Sequence, residues 1–112
     1  MKEILAVIRP NMTGATKDAL EQAGFPAYTC IRVRGRGKKP FNFAGDISEN
    51  VRHRLLPKRL ITLIVSEEEA NRVVETIIKV NHTGTPGDGK IFVMPICESY
   101  QVRNREGGAD AY

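Results

Sequence analysis

The segment best suited to chemistry is the run Thr83-Gly84-Thr85-Pro86-Gly87-Asp88-Gly89-Lys90. Three glycines set around a proline and an aspartate let successive backbone N–H groups converge on an anion, and Lys90 adds a point charge. Holding a phosphate is the chemistry this suits; a plain glycine-rich turn between a helix and a strand is the alternative. The run is not a Walker A loop, because it precedes a strand and lacks the Gly-Lys-Ser/Thr ending. A second concentration of charge is Arg32, Arg34, Arg36, Lys38 and Lys39, all within eight positions. Strand alternation would put Arg32, Arg34 and Arg36 on one face. Such a ridge suits a polyphosphate or a nucleic-acid backbone, or is a solvated outer face, and the interleaved aromatics that stack bases are missing.

Other chemistries find no residues. Cys30 and Cys97 lie far apart without a Cys or His partner at metal-ligand spacing, and both sit among apolar neighbours, so two buried thiols and no metal site are expected. His53 and His82 fall in loops without ligand-spaced partners and are expected at the surface. No Ser-His-Asp set or carboxylate pair is visible, which argues against an enzyme.

Hydrophobic period locates the elements that must carry these loops. Residues 2–9 form a short apolar run closed by Pro10, read as a strand. Residues 13–23 follow as a helix with Thr13 as N-cap and Gly24 as its stop, then 27–36 as a second strand. From Gly37 to Pro57 no period is visible, and a structureless stretch that long inside one domain is usually functional or disordered. Between Gly37 and Lys58 the cations are Lys38, Lys39, Arg52, Arg54, Lys58 and, when protonated, His53, against the acids Asp46 and Glu49, so a mobile, partner-seeking loop is expected. Residues 59–65 are a strand, Ser66 to Glu69 a capping box, and 67–80 a helix; after a turn-rich run, Lys90 to Cys97 is the last strand. The order strand, helix, strand, strand, helix, strand predicts an α+β, ferredoxin-like βαββαβ sandwich. Leu60 and Ile64 make the second face of the third strand apolar as well, which leads us to expect subunits that cover it for each other.

The chain of 112 residues, 41% hydrophobic with a net charge of +4, has room for one core and is read as a single domain, 1–112. No apolar run reaches the roughly 18–20 residues of a membrane span, and no signal-peptide pattern precedes the first strand, so a cytoplasmic protein without membrane insertion is expected. A chain this small has little material for a deep private pocket, so a ligand site shared between subunits is expected.

The residues Thr83-Gly84-x-Pro-Gly87-Asp88-Gly89-Lys90-Ile91-Phe92-Val93, with Leu56-Pro57-Lys58, Gly35-Arg36-Gly37 and an opening strand ending in Pro10, resemble the PII nitrogen-regulatory signalling proteins over nearly the whole chain. The resemblance implies a homotrimer with ATP or ADP in the clefts between subunits, 2-oxoglutarate sensing, and three named loops: a T-loop at 37–57, a B-loop at 82–90 and a C-terminal loop at 98–112. Carried over by motif, Gly35, Arg36, Gly37 and Lys38 at the T-loop base, Gly87, Asp88, Gly89 and Lys90 in the B-loop, and Arg103 with the added cation Arg105 hold the phosphates. Thr29 faces the adenine. Lys39 and Lys58 are the candidate contacts for 2-oxoglutarate.

The chain also departs from the family. Lys39 stands where the family has a metal-coordinating glutamine, and an ammonium cannot coordinate a cation, so Mg²⁺-dependent capture of 2-oxoglutarate is not expected. The stretch Phe41 to Leu56 holds no tyrosine for uridylylation, although Ser48 is present. Gln101 replaces the first cation of the C-terminal motif. These features are similar to the PII branch encoded beside nitrogenase genes, in particular its second paralogue, which implies regulation of nitrogenase by a homotrimer or by a mixed assembly with a PII-like paralogue. A small nucleotide-hydrolysing enzyme, or a regulator of an ammonium transporter or of glutamine synthetase, are the alternatives; nucleic acid is not expected as a partner.

Overall fold

The structure, a computed structural model, describes residues 1–38 and 54–108. Six main elements follow the expected order: β1 (Lys2–Ile8), α1 (Thr13–Gln22), β2 (Thr29–Gly35), β3 (Leu56–Val65), α2 (Glu67–Asn81) and β4 (Lys90–Pro95). They build one antiparallel sheet of order β2-β3-β1-β4, the ferredoxin-like arrangement. Alternation along β1 and β3 sends Ile4, Ala6, Ile8, Ile61, Leu63 and Val65 toward the helices, where they meet Leu20, Phe25, Val73 and Ile77 in one core.

Local chemistry sets the helix ends. Ser66 is the N-cap of α2, its Oγ accepting from the Glu69 N–H at 3.3 Å, and Glu67, Glu68 and Glu69 complement the positive end of the helix. Gly24 ends the first helical segment with φ +93°, as its position suggested. Thr13, expected as a cap, is instead the first residue of α1: a 3₁₀ turn at Pro10–Met12 precedes it, and its hydroxyl donates to Pro10 O at 2.7 Å. The helices are pinned by a buried polar pair, with Asn81 Nδ2 donating to Thr16 Oγ1 at 3.1 Å and Thr16 donating to Met12 O.

Several boundaries differ from the sequence expectation. β3 begins at Leu56 and includes Pro57, because β1 pairs with β3 only as far as Arg59. Beyond that point β3 has β2 as its single neighbour, and a missing N–H is tolerated there. The sheet therefore continues as a two-stranded ribbon toward Gly35 and Leu56. The residues from 39 to 53, including Lys39, and those from 109 to 112 lie outside the described residues, so the T-loop expectations, its mobility included, fall there. Cys97 is exposed and Cys30 half-buried, not two buried thiols, because β4 stops at Pro95 and the chain leaves the sheet before Cys97. The arginine ridge divides too. Arg32 and Arg34 share a face with Cys30 and Arg59, on the helix side, whereas Arg36 follows the end of the strand, where alternation no longer applies.

The face of the sheet away from the helices carries Leu5, Val7, Ile31, Val33, Leu60 and Phe92, and no described element covers it. Ile31 is 48% exposed and Phe92 51%. Among the described residues, no helix is long and apolar enough to cross a membrane.

Candidate functional site

Two glycine-bearing segments, far apart in sequence, meet at one end of the sheet. The β2–β3 ribbon delivers Gly35, Arg36, Gly37, Lys38 and Lys58, and the loop before β4 delivers Pro86, Gly87, Gly89 and Lys90. Together with Val7 and Phe92 they line a cleft of about 430 Å³. Its polar lining is cationic, Arg36, Lys38, Lys58 and Lys90, with no carboxylate among the described lining residues. A cleft with several cations and glycine backbone suits a phosphorylated anion.

The glycines are required by geometry at two points. Gly89 has φ +118°, and a Cβ there would stand 2.2 Å from Val7 O, so the loop comes down onto β1 where only glycine fits. Gly87 has φ +97° and lies over the Arg9 guanidinium, 3.2 Å from where its Cβ would be.

Asp88 is placed differently from its loop neighbours. It does not line this cleft; its carboxylate turns to the other side of the loop, where Oδ2 accepts from Thr83 N at 2.7 Å and Gly84 N at 2.9 Å. The Thr83 hydroxyl donates to Oδ1, which also lies 3.0 Å from Arg9 Nη1. These bonds from Thr83 and Gly84, with the Arg9 charge, hold the carboxyl well below the usual carboxylate range. Arg9 Nη2 continues to Pro86 O at 3.1 Å and Thr85 Oγ1 at 3.3 Å. His82, exposed as expected, brings Nδ1 within 4.0 Å of Asp88 Oδ2.

Eight of the sequence-predicted nucleotide and 2-oxoglutarate residues therefore share one cleft: Gly35, Arg36, Gly37, Lys38, Lys58, Gly87, Gly89 and Lys90. Three others stand apart. Thr29, six residues before Gly35 and about 20 Å along the strand, lines a separate hollow with Glu3, Tyr28 and Thr62. Arg103 and Arg105 belong to a turn closed by the Tyr100–Gly107 bridge and by Arg105 N–H donating to Gln101 O at 2.8 Å. That turn follows the far end of β4, close to Met1, whose carbonyl accepts from Ile96 N. Sequence reasoning missed Arg9, whose partner in the loop is 79 residues away; its position just before Pro10, at the end of a strand, was the only signal. Among the described residues no group of three or more His, Cys, Asp or Glu is placed to hold a metal.

Comparisons with known proteins bear on the same features. The family model for nitrogen regulatory protein P-II matches residues 1–106. The chain is 48% identical to "Nitrogen fixation nifHD region glnB-like protein 2" of Methanococcus maripaludis, covering 99% of each chain. It is 44% identical to the protein of the same description from Methanobacterium ivanovii, over 99% of this chain and 98% of that one. Among solved structures it is similar to Arabidopsis thaliana PII bound to citrate, with a TM-score of 0.81 and 29% identity over 99% of this chain and 91% of the other. The chain thus belongs to the nitrogen regulatory protein P-II family.

Proposed function

We propose that this P-II protein is an adenine-nucleotide-responsive regulator of nitrogen fixation, with nitrogenase as its target. P-II proteins are signal-transduction proteins and not enzymes, so the output is a contact with a target and not a product. The observation that carries the reading is the cationic cleft between the glycine loop and the β2–β3 ribbon. A di- or triphosphate there would be held by Lys38, Lys58, Lys90 and Arg36 together with the N–H groups around Gly87 and Gly89. Relatives whose descriptions place them in a nifHD region support nitrogenase as the target.

The cleft of one chain is half of a site. Thr29, Arg103 and Arg105 are too far away to reach the phosphates held in their own chain's cleft, and the apolar sheet face needs a cover. A trimer, or a mixed assembly with a P-II paralogue, would meet both needs by bringing these residues from a neighbouring subunit. Lys38 lines the cleft and immediately precedes residues 39–53 in sequence, so a ligand at Lys38 would bias how that segment is presented. None of the described lining residues carries a side-chain oxygen for a metal, and Lys39 replaces the family's glutamine, so we read Lys58 as taking 2-oxoglutarate by a simple ion pair.

The test is nitrogenase activity with the purified protein under ATP, ADP and 2-oxoglutarate. Nucleotide-dependent inhibition is expected, and deletion of residues 41–55 should abolish it while leaving ATP binding within about twofold. Equal inhibition by the shortened protein would refute the loop mechanism.

A further inference from the structure

Thr83, Thr85, Arg9 and Asp88 close a ring of hydrogen bonds on the side of the glycine loop away from the cleft. The donors assign themselves. The Thr83 hydroxyl gives its proton to Asp88 Oδ1, so across the 2.7 Å contact between the two hydroxyls Thr85 must donate and Thr83 accept. Thr85 in turn accepts from Arg9 Nη2, and Arg9 Nη1 returns to Asp88 Oδ1. Oδ2 takes the Thr83 and Gly84 N–H groups, so the four acceptor sites of the carboxylate are all used, and none is left for a metal. Arg9 also donates to Pro86 O. Its side chain is 29% exposed and that of Asp88 21%, so the pair is partly shielded from solvent.

From this geometry we infer that Arg9 is a positioning residue that, paired with Asp88, locks the 83–89 loop in its anion-receiving form before ligand arrives. Neither Arg9 nor Asp88 lines the cleft, whereas Pro86, Gly87, Gly89 and Lys90 do. The loop thus has two faces, one clasped to the end of β1 and one presented to the ligand. Gly87 takes a positive φ of +97°, which favours glycine, and a Cβ there would press on the Arg9 guanidinium at 3.2 Å and push the clasp aside. Lysine would be a poorer clasp than Arg9, because one ammonium nitrogen would have to serve Asp88, Thr85 and Pro86 where the guanidinium uses two nitrogens in a fixed fork.

In its affinity arm the inference rests on the nucleotide reading proposed above; in its exchange arm it does not. The experiment uses the full-length protein as it assembles, with Arg9→Lys, Asp88→Asn and the double variant. Amide hydrogen exchange without nucleotide should show the Thr83 and Gly84 N–H groups protected in the wild type and exchanging about tenfold faster or more in each variant. Stopped-flow binding of a fluorescent ATP analogue should show the association rate falling by about tenfold and the dissociation rate nearly unchanged, because only the receptive fraction of the loop is reduced. The double variant should lose less than the sum of the two single losses, because the Arg9–Asp88 contact is shared while the Arg9 bonds to Thr85 and Pro86 are not. Unchanged exchange at Thr83 and Gly84 would overturn the inference. So would a loss of affinity confined to the dissociation rate, which would make Arg9 a direct phosphate contact. A wild type that failed to bind the analogue would sink the nucleotide reading and leave the exchange result to decide the clasp.

Discussion

Replacing Gly89 by alanine should damage the protein out of proportion to the single methyl added. Gly89 is the last loop residue before β4, and its Cβ would lie 2.2 Å from Val7 O and 3.2 Å from Val7 C, both backbone atoms of β1. A flexible side chain could step aside; a strand cannot. Relief requires the backbone to retreat by about 1 Å, which loosens the adjoining Val7–Lys90 pairing and its hydrogen bonds, each worth about 1 kcal/mol. The positive φ of +118° adds about 1–2 kcal/mol for any residue with a Cβ. The sum is about 3 kcal/mol, a large fraction of the stability of a small domain. Gly84→Ala is the matched control: its φ is +81°, but nothing lies within 4 Å of the added carbon, so only the backbone penalty of about 1–2 kcal/mol applies. Chemical denaturation of both variants at one protein concentration reads the difference. Equal losses would show that the close approach of the loop to β1 does not govern this junction.

Further outcomes follow from the same geometry. Lys90→Met keeps the stem of the side chain against the cleft and removes the charge, so nucleotide affinity measured by calorimetry should fall by about 1.5–3 kcal/mol with the oligomer intact. Asp88 has a depressed carboxyl pKa in the folded loop, so its contribution is fully present above the unfolded value of about 4 and is lost as the pH falls through the folded value. With the neighbouring imidazole removed by His82→Gln, the Thr83 amide resonance should accordingly hold its position from neutral pH down to about 5 and move only in stronger acid, and adding Asp88→Asn should remove that acid transition. Ile31→Glu places a charge on the exposed apolar sheet face, outside the cleft; sedimentation should show a folded monomer, and that monomer should have lost ATP binding. A monomer that retained full affinity would contradict a site shared between subunits.

Much of this architecture is legible in the sequence because its signals are local. Ser66 and Glu69 announce the start of α2, and the alternation through Leu60 and Val65 gives a strand with two apolar faces. The run Gly84 to Lys90 is legible as an anion loop because glycine spacing is itself the chemistry. What was hidden depends on partners brought together only by folding. Asp88 reads like a ligand residue in a linear motif, yet its lone pairs are taken by its own loop and by Arg9 at the end of β1. Pro57 reads as a loop residue, and only the early end of β1 explains why a strand tolerates it. Cys97 sits among apolar letters but beyond the last ladder pair, Lys2–Pro95, where sequence neighbours are no longer spatial neighbours. Thr13 has the chemistry of a cap, but Pro10 starts a 3₁₀ turn upstream and displaces it into the helix.

The central claim is that the cleft between the β2–β3 ribbon and the glycine loop receives the phosphates of an adenine nucleotide. Titration calorimetry of ATP into the assembled protein, repeated with Lys38→Met, Lys58→Met and Lys90→Met, tests it most directly. One ATP per chain is expected, with each substitution weakening binding by about tenfold or more and none altering assembly. Wild-type binding that was unaffected by all three substitutions would place the nucleotide elsewhere on the molecule and contradict the account.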